Sequence, residues 1–456
     1  MKTLLKEGSV VSAEGAALCD VLIEDDKIVK TGVGLTDADA QIFDVAGKLL
    51  FPGFIDAHTH FDLEAAGTVT ADDFVTGSKA ALLGGTTTVI DFATQYRGES
   101  LSSAYRHWLT KAEGKSSCDY GFHMAISDWN ENTSKEIGDM IDLGVSSFKL
   151  YMTYDDMKVS DEEIYEVLKR LKGVGGIAGV HCENSGVISA LVKEEKALGH
   201  FGVSSHPKTR PAEVEAEAVS RLLRIAEIAD SPVIIVHLSS KEGYGEVIKA
   251  RERGQKVYLE TCTQYLLLDE SLYELPEPEC FKYVIAPPVR KEADRDCLWG
   301  ALASGEIQTL STDHCSFSLK QKLMGEKDFT KVPCGMPGVE DRAVLLYTYG
   351  VAAGRITLGQ MCRLLSENPA KLYGAYPRKG CIVPGADADI VVFDPNAEGV
   401  ISAKTQAYNM DYAPYEGFKT LGLVDDVYLR GTRVVGGHRI TAERTGSYLY
   451  RGKYSL

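Results

Sequence analysis

The stretch PGFIDAHTH, residues 52–60, is an apolar run that ends in two histidines separated by one residue. Successive side chains of a β-strand point to opposite faces, so His58 and His60 share a face if this run is a strand. Neutral imidazoles are good ligands for zinc and similar divalent ions. A pair of hydrogen-bonded structural histidines is the alternative, and this stretch alone does not decide between the two.

Eight apolar runs of this kind occur between residues 51 and 314, and helical patterns such as PAEVEAEAVSRLLRIAEIA separate them. This alternation favours a parallel sheet with crossover helices, and eight strands close a (β/α)8 TIM-type barrel. The predicted strands are FPGFIDAHTH, TTTVIDFAT, DYGFHMAI, VSSFKLYM, GIAGVHCEN, PVIIVHLSS, KVYLETC and IQTLSTDH.

Both chain ends have short hairpin-like β patterns, for example CDVLIEDDKIVKTG and VDDVYLRGTRVVGG. Neither end is long enough to bury a good core alone. We therefore predict a small β-sandwich domain composed of residues 1–50 and 381–456, with the barrel formed by residues 51–380.

The composition excludes several classes of protein. A net charge of −16 argues against binding to nucleic acid or to an anionic membrane surface. The start, MKTLLKEGSVVSAEG, carries too many charges for a signal peptide, and no run has the apolar length of a membrane span. Ten cysteines without a C-x-x-C pair indicate neither a disulfide framework nor a zinc ribbon. We expect a cytoplasmic protein.

Metal-capable or ionisable residues stand toward the ends of five predicted strands. Active sites of barrel enzymes lie at the carboxyl ends of the strands, so these side chains are expected to converge. Taken singly, the later histidines are more often structural, and the aspartate has a helix N-cap as its alternative role. His123 is a weak further candidate, and His314 is left unassigned. The converging residues are His58, His60, Lys149, His181, His237 and Asp313.

Lys149, in SSFKLYMTY, is unusual because an unpaired ammonium is costly to bury. A lysine that reaches solvent or pairs with a carboxylate is the alternative. A neutral amine that reacts with carbon dioxide becomes an anionic carbamate, whose two oxygens could bridge two cations.

The combined pattern PGFIDAHTHF, GGTTTVIDF, SSFKLYMTY, VHCEN, IVHLSS, STDHC and G-x-D-A-D-I-V-V resembles the cyclic amidohydrolases. It is most similar to the hydantoinase and dihydropyrimidinase branch, which includes D-hydantoinases and phenylhydantoinases, and the similarity runs over nearly the whole chain. The resemblance implies a barrel with two divalent ions, most often zinc, and a carboxylated lysine between them.

Carried over residue by residue, the resemblance gives His58, His60 and Asp313 to the more buried metal. It gives His181 and His237 to the second metal, makes Lys149 the bridging N6-carboxylysine, and makes Tyr154 the hydrogen-bond donor to the developing oxyanion. These assignments follow from the match of motifs.

Two segments of relatives, S-P-P-x-R and N-G-x-P-G-x-E, hold the cyclic amide by backbone contacts. Here they read APPVR, with Ala286, and CGMPGVE, with Cys334, so two polar side chains are missing. Residues 61–73 are expected to form a loop over the barrel mouth. In that loop Phe61 and Leu63, together with Tyr151 or Met152, are candidate walls for the ring substituent, and plain loop packing is the alternative.

The reaction implied is attack of a metal-bridging hydroxide on a ring carbonyl, with Asp313 carrying the proton to the ring nitrogen. The substrate is then a small cyclic ureide, and the product is an N-carbamoyl amino acid. The family also implies a homodimer or homotetramer.

Other functions fit less well. A dihydroorotase would need an arginine soon after H-x-H, where this chain has HTHFDLE. An allantoinase shares the metal core, although SSFKLYMTY fits the hydantoinase type better. A non-catalytic scaffold with the same barrel is expected to lack metal ligands, and all six are present here.

Overall fold

Eight parallel strands form a nearly closed barrel in the computed structural model, which describes residues 2–456. Met1, part of the predicted first segment, lies outside the described residues. The strands neighbour one another in the order of the chain, as the alternating sequence pattern predicts. They are Phe54–Thr59, Thr86–Thr94, Asp119–Ala125, Ser147–Tyr151, Ile177–His181, Val233–Ile235, Val257–Cys262 and Thr309–Ser311.

The first and last strands meet just beyond their ends. Thr59 and His314 form a parallel bridge, and the His60 N–H donates to the His314 carbonyl over 2.8 Å. The predicted fold class is thus confirmed, and each of the eight predicted runs contains one barrel strand.

Helices connect successive barrel strands, as expected for strands that are buried on both faces, and further helices follow the last strand. They are Thr76–Leu83, Leu101–Ala112, Glu131–Asp142, Asp161–Val174, Ser185–Ala197, Ser205–Thr209, Ala212–Ala229, Lys241–Glu252, Thr263–Leu267, Glu292–Ala303, Leu319–Lys322, Arg342–Leu346, Leu358–Cys362 and Asn368–Leu372. No helix within residues 2–456 is both long and apolar enough to cross a lipid bilayer.

Two further sheets are built mainly from the chain ends. The four-stranded sheet has the order Lys27–Gly32, Asp20–Glu24, Lys2–Lys6 and Gln41–Asp44. The six-stranded sheet has the order Thr432–Val435, Lys419–Leu429, Ile390–Val400, Leu49–Pro52, Ser9–Ser12 and Gly15–Leu18. Early and late segments therefore pair within one sheet, and Leu49–Pro52 extends this sheet two residues beyond position 50.

The segment around residues 447–451 packs against the barrel strands at their amino-terminal ends. The Tyr120 N–H donates to the Ser447 carbonyl over 3.1 Å. The buried Arg451 guanidinium donates to the Ser147 hydroxyl over 2.8 Å and to the Phe122 carbonyl. The loops at the opposite, carboxyl end carry the predicted site residues.

A buried lysine joins the barrel to the end sheets. Lys379 Nζ lies 2.7 Å from Asp119 Oδ2 at the start of the third barrel strand. It lies 2.6 Å from Asp389 Oδ2 and 3.1 Å from Asp387 Oδ2, just before the strand Ile390–Val400. One ammonium thus forms ion pairs with carboxylates from two parts of the fold.

Lys379→Met should lower the free energy of unfolding by about 3–5 kcal/mol, because the buried Asp389 carboxylate loses its cation, while Asp119 keeps Arg430 and Asp387 keeps Lys27. Urea unfolding monitored by circular dichroism measures this loss. As a control, Lys135→Met removes an exposed pair with Glu131 and should change stability by less than about 0.5 kcal/mol. Equal losses in the two variants would contradict the prediction.

Candidate metal centre

The six predicted ligand residues all lie at the carboxyl ends of the barrel strands. His58 and Lys149 are within the first and fourth strands, and His181 is the last residue of the fifth. His237 and Asp313 each follow a short strand by two residues. The ring centroids of His58 and His237 are 5.4 Å apart, and those of His181 and His237 are 4.5 Å apart. Residues distant in sequence therefore share one small volume.

His58, His60 and Asp313 form the first group of potential ligands. Asp313 Oδ1 lies 3.3 Å from His58 Nε2 and 3.0 Å from His60 Nε2. The possible ligand atoms of the three residues all lie within 4.8 Å of one another. Two imidazoles and one carboxylate at this spacing suit a zinc-like ion.

His181, His237 and Lys149 form the second group. Lys149 Nζ is 3.5 Å from His237 Nε2. The other ring nitrogen of His237, Nδ1, is buried and has no hydrogen-bond partner among residues 2–456. An unpartnered imidazole nitrogen is costly in a protein interior, and a metal ion in this mouth would offer these rings a partner.

Two carboxylates that contact the predicted ligand histidines were not predicted from the sequence. Glu260 Oε1 lies 2.6 Å from His58 Nδ1, and Glu183 Oε2 lies 2.7 Å from His181 Nε2. Each carboxylate occupies one ring nitrogen and leaves the other for a ligand, an arrangement typical of metal-binding histidines. Glu260 lies in the seventh strand, which contributed no residue to the predicted site.

The buried histidines favour their neutral, metal-binding form. Burial lowers the pKa of His181, and it lowers the pKa values of His58 and His237 far below the ordinary value. Burial would raise the pKa of Asp313, but His58 and His60 bring it to about 2. At neutral pH His58, His181 and His237 are therefore uncharged, beside an ionised Asp313 carboxylate.

Lys149 is almost completely buried, with 1% of its surface exposed. Burial lowers the pKa of its amine, although Asp313 and Glu260 act in the opposite direction. Its Nζ also lies 5.1 Å from the ring centre of Phe92 and 5.1 Å from that of Tyr151. A lower pKa increases the fraction of amine with a free lone pair, the form that reacts with carbon dioxide.

Arg210 connects Glu183 to Tyr154. Arg210 Nη1 lies 2.5 Å from Glu183 Oε2, and the guanidinium carbon is 5.7 Å from the Tyr154 ring centre. Burial would raise the pKa of Glu183, but Arg210 and His181 lower it to about 2. Tyr154 lies over His181, with ring centroids 5.2 Å apart, and burial raises its pKa well above the ordinary value. Tyr154 thus remains a protonated donor at the edge of the mouth.

Three predicted site residues have left-handed backbone conformations. The φ angles are 69° at Tyr154, 39° at His237 and 51° at Asp313. Non-glycine residues adopt this region at an energetic cost and concentrate there at functional sites. At these positions the surrounding structure holds a strained backbone that carries a predicted site residue.

The segments that contain Ala286 and Cys334 lie beside each other, joined by a 3.0 Å hydrogen bond from the Gly335 N–H to the Val284 carbonyl. Both residues are half-buried. Cys334 and Arg210 line one end of a cavity of about 310 Å³, which Ile188, Val192, Phe329 and Val332 line on its apolar side.

The predicted loop over the mouth contains a small hairpin of Glu64–Ala65 and Thr68–Val69. The structure corrects the role expected for Phe61. Its ring is fully buried, 5.5 Å from Phe74 and 5.4 Å from His314 between ring centroids, so it packs the interior instead of lining the mouth. Leu63 is half-buried, and the ring centroids of Tyr151 and Tyr154 are 6.1 Å apart. Leu63 and Tyr151 therefore remain candidates to line the pocket for the ring substituent.

His314 supports the mouth from outside the ligand groups. Its Nε2 lies 3.0 Å from Asp72 Oδ2 in the loop that covers the barrel. Its Nδ1 accepts the backbone N–H groups of Gly338 and Val339 over 3.1 and 3.2 Å. His314 thus ties this loop to the CGMPGVE segment.

His123 belongs to the core. Its Nδ1 is 2.6 Å from the Ser147 hydroxyl and its Nε2 is 2.9 Å from the Ala57 carbonyl. With both ring nitrogens engaged, it has none left for a metal.

Known proteins match this chain along its length. The sequence model of the Amidohydrolase family matches residues 49–434. A D-hydantoinase of Geobacillus stearothermophilus is 43% identical, with 100% of this chain and 97% of the relative covered. A D-hydantoinase of Ralstonia pickettii is 41% identical, with 100% of both covered. The solved dihydropyrimidinase of Brevibacillus agri NCHU1002 superposes with a TM-score of 0.99 at 41% identity, covering 100% of both chains.

Glu260→Gln should weaken binding of added Zn²⁺, used as a probe of the site, by about tenfold to a hundredfold, because His58 loses the carboxylate that contacts its ring. Competition with a chromophoric chelator measures this affinity. The matched control Glu163→Gln removes the same charge at an exposed helix N-terminus and should leave zinc affinity unchanged. Equal affinity in both variants would show that Glu260 does not support the ligand.

Proposed function

The chain belongs to the amidohydrolase family, and on this premise we propose that it hydrolyses the cyclic amide bond of hydantoins or dihydropyrimidines to N-carbamoyl amino acids. The observation that carries the proposal is the convergence of four histidines, Lys149 and Asp313 in one buried mouth. Burying these ionisable groups costs free energy, so a barrel that had become a non-catalytic scaffold is expected to have lost some of them.

The residues would hold two divalent ions, and we propose zinc. His58 and His60 would bind one ion and His181 and His237 the other, with Asp313 on the side of the first pair. Neutral imidazoles with a carboxylate behind the ring are the ligand type that zinc prefers. Two such ions, when bound, lower the pKa of a water and polarise the carbonyl to be attacked.

Lys149 is proposed to carry a carbamate formed from its amine and carbon dioxide. Burial and the lowered pKa of the amine support this modification. A carbamate would replace a buried positive charge by a negative one between the two histidine pairs. Such a change suits a site that must hold cations.

Asp313 is proposed to move the proton. Its low pKa keeps the carboxylate ionised at neutral pH, so it can accept a proton from the attacking water. It then gives this proton to the ring nitrogen as the carbon–nitrogen bond breaks. An amide nitrogen leaves readily only when it is protonated, so the second transfer is as necessary as the first.

Tyr154 is proposed to stabilise the negative charge that develops on the ring carbonyl oxygen. Because burial keeps its hydroxyl protonated, Tyr154 is a hydrogen-bond donor at this point of the mouth. A well-placed donor of this kind contributes about 3–4 kcal/mol to the transition state.

Several further properties belong to the proposal. Backbone groups near Ala286 and Cys334 would bind the ring. We place the protein in the cytoplasm, supported by ten cysteines that are all free, and we propose a homodimer or homotetramer by analogy with the family. We also propose the sandwich domain of residues 1–50 and 381–456 as a unit distinct from the barrel.

The experiment that tests the function is ring opening by the purified, zinc-loaded protein. The substrates are 5-phenylhydantoin, 5,6-dihydrouracil and allantoin, followed by loss of ring absorbance and by detection of the carbamoyl product. We expect turnover of the hydantoin or the dihydropyrimidine to exceed that of allantoin. Faster turnover of allantoin than of both others would overturn the choice of substrate class.

Lys149→Ala should abolish metal occupancy in one or both sites and with it the activity. Elemental analysis of the purified variant beside the wild type measures the metal content. The variant Lys158→Ala, altered at an exposed ion pair with Asp155, serves as the control. Two tightly held metals with normal activity in Lys149→Ala would exclude the bridging role.

A further inference from the structure

Lys322 is a fully buried lysine outside the metal centre, with 0% of its surface exposed. Among residues 2–456 no carboxylate lies within ion-pair distance of its ammonium. Burial lowers the pKa of the amine to about 8, while the nearby thiols of Cys334 and Cys315 act in the opposite direction. A buried charge without a counter-ion costs several kcal/mol, so its contacts need an explanation.

The ammonium joins two chain segments through their backbone carbonyls. Lys322 Nζ donates to the Val284 carbonyl over 2.7 Å and to the Pro333 carbonyl over 2.7 Å. The Gly335 N–H donates to the same Val284 carbonyl over 3.0 Å. Two connections thus link Val284 to residues 333–335, one through the ammonium and one direct.

The Pro333 carbonyl and the Cys334 N–H belong to one peptide group. Among residues 2–456 this N–H has no acceptor, and Cys334 lines the cavity that it shares with Arg210 beside Tyr154. A cation bound to the carbonyl oxygen draws electron density from the peptide, which makes its N–H a stronger donor. The lysine is therefore connected to a free donor at the edge of the mouth.

We propose that Lys322 is a positioning residue for the substrate, which fixes the two ring-binding segments and strengthens the Cys334 N–H as a donor to a ring carbonyl. The proposal rests on the proposed function, because it assigns the acceptor to the cyclic ureide. The contact lies on a part of the ring that does not react, so it acts in the ground state and the transition state alike.

Lys322→Met tests this role through the steady-state constants for the better of the two substrates, 5-phenylhydantoin or 5,6-dihydrouracil. Loss of a charge-assisted contact should raise KM about tenfold and change kcat less than about threefold, the pattern for binding energy common to both states. Lys322→Arg, which keeps the charge, should restore part of the lost affinity.

Two controls separate this role from plain stabilisation. Lys196→Met removes a cation that binds Asp328 over 2.7 Å on the neighbouring rim, and KM should stay at the wild-type value. Zinc content should equal that of the wild type in all variants. A lower unfolding temperature of Lys322→Met with an unchanged KM would overturn the proposal.

If Lys322→Met does not fold, Lys322→Gln replaces it in the test, because the glutamine amide is uncharged but can still donate to the carbonyls. A raised KM in this variant supports the proposal and a wild-type KM overturns it. If the zinc-loaded wild type opens none of the rings, the proposed function fails, and the role of Lys322 fails with it. Normal wild-type turnover beside an unchanged KM in the variants refutes the role of Lys322 alone.

Discussion

The barrel mouth must bury several ionisable groups at once without burying their charges unpaired. Desolvation keeps the histidines neutral, and carboxylates behind the rings fix which nitrogen faces inward: Glu260 for His58 and Glu183 for His181. The buried charge of Lys149 is the least compensated of these groups, because no carboxylate among residues 2–456 forms a close ion pair with it. Neutral imidazoles beside an ionised aspartate suit the binding of metal cations, and a carbamate on Lys149 would replace its unpaired positive charge by a negative one.

Around the predicted metal ligands, the loops position side chains and backbone segments that the strands do not carry. Tyr154 and Asp313 follow the strand ends on left-handed backbone, so their side chains turn into the mouth. His314 and Lys322 both hold backbone groups: His314 accepts N–H groups of the CGMPGVE segment, and Lys322 donates to the Val284 and Pro333 carbonyls. Buried polar residues thus hold the backbone of the segments that contain Ala286 and Cys334, which we propose to bind the ring.

Much of this arrangement was predictable, because parallel barrel strands are long apolar runs whose polar residues stand at one end. That rule located His58, Lys149 and Asp313 without a structure. It failed for Glu260, which lies inside a strand and contacts its histidine only after the barrel closes. It also failed for Lys322, since SLKQKLMGEKD has the polar composition of an exposed surface helix. For Phe61 the structure selects loop packing over a wall of the mouth, which the sequence left open because a loop position does not show which side chains turn inward.

The six-stranded sheet pairs Leu49–Pro52 with residues of Ile390–Val400, so it joins segments separated by the whole barrel. The ribosome makes Leu49–Pro52 long before Ile390–Val400 exists, although Ser9–Ser12 can already pair with the other edge of Leu49–Pro52. Until Ile390–Val400 is made, one edge of Leu49–Pro52 stays unpaired, and exposed strand edges make a nascent chain a client of chaperones. Expression yield should therefore depend more on preventing aggregation of the early β-strands than on the folding rate of the barrel.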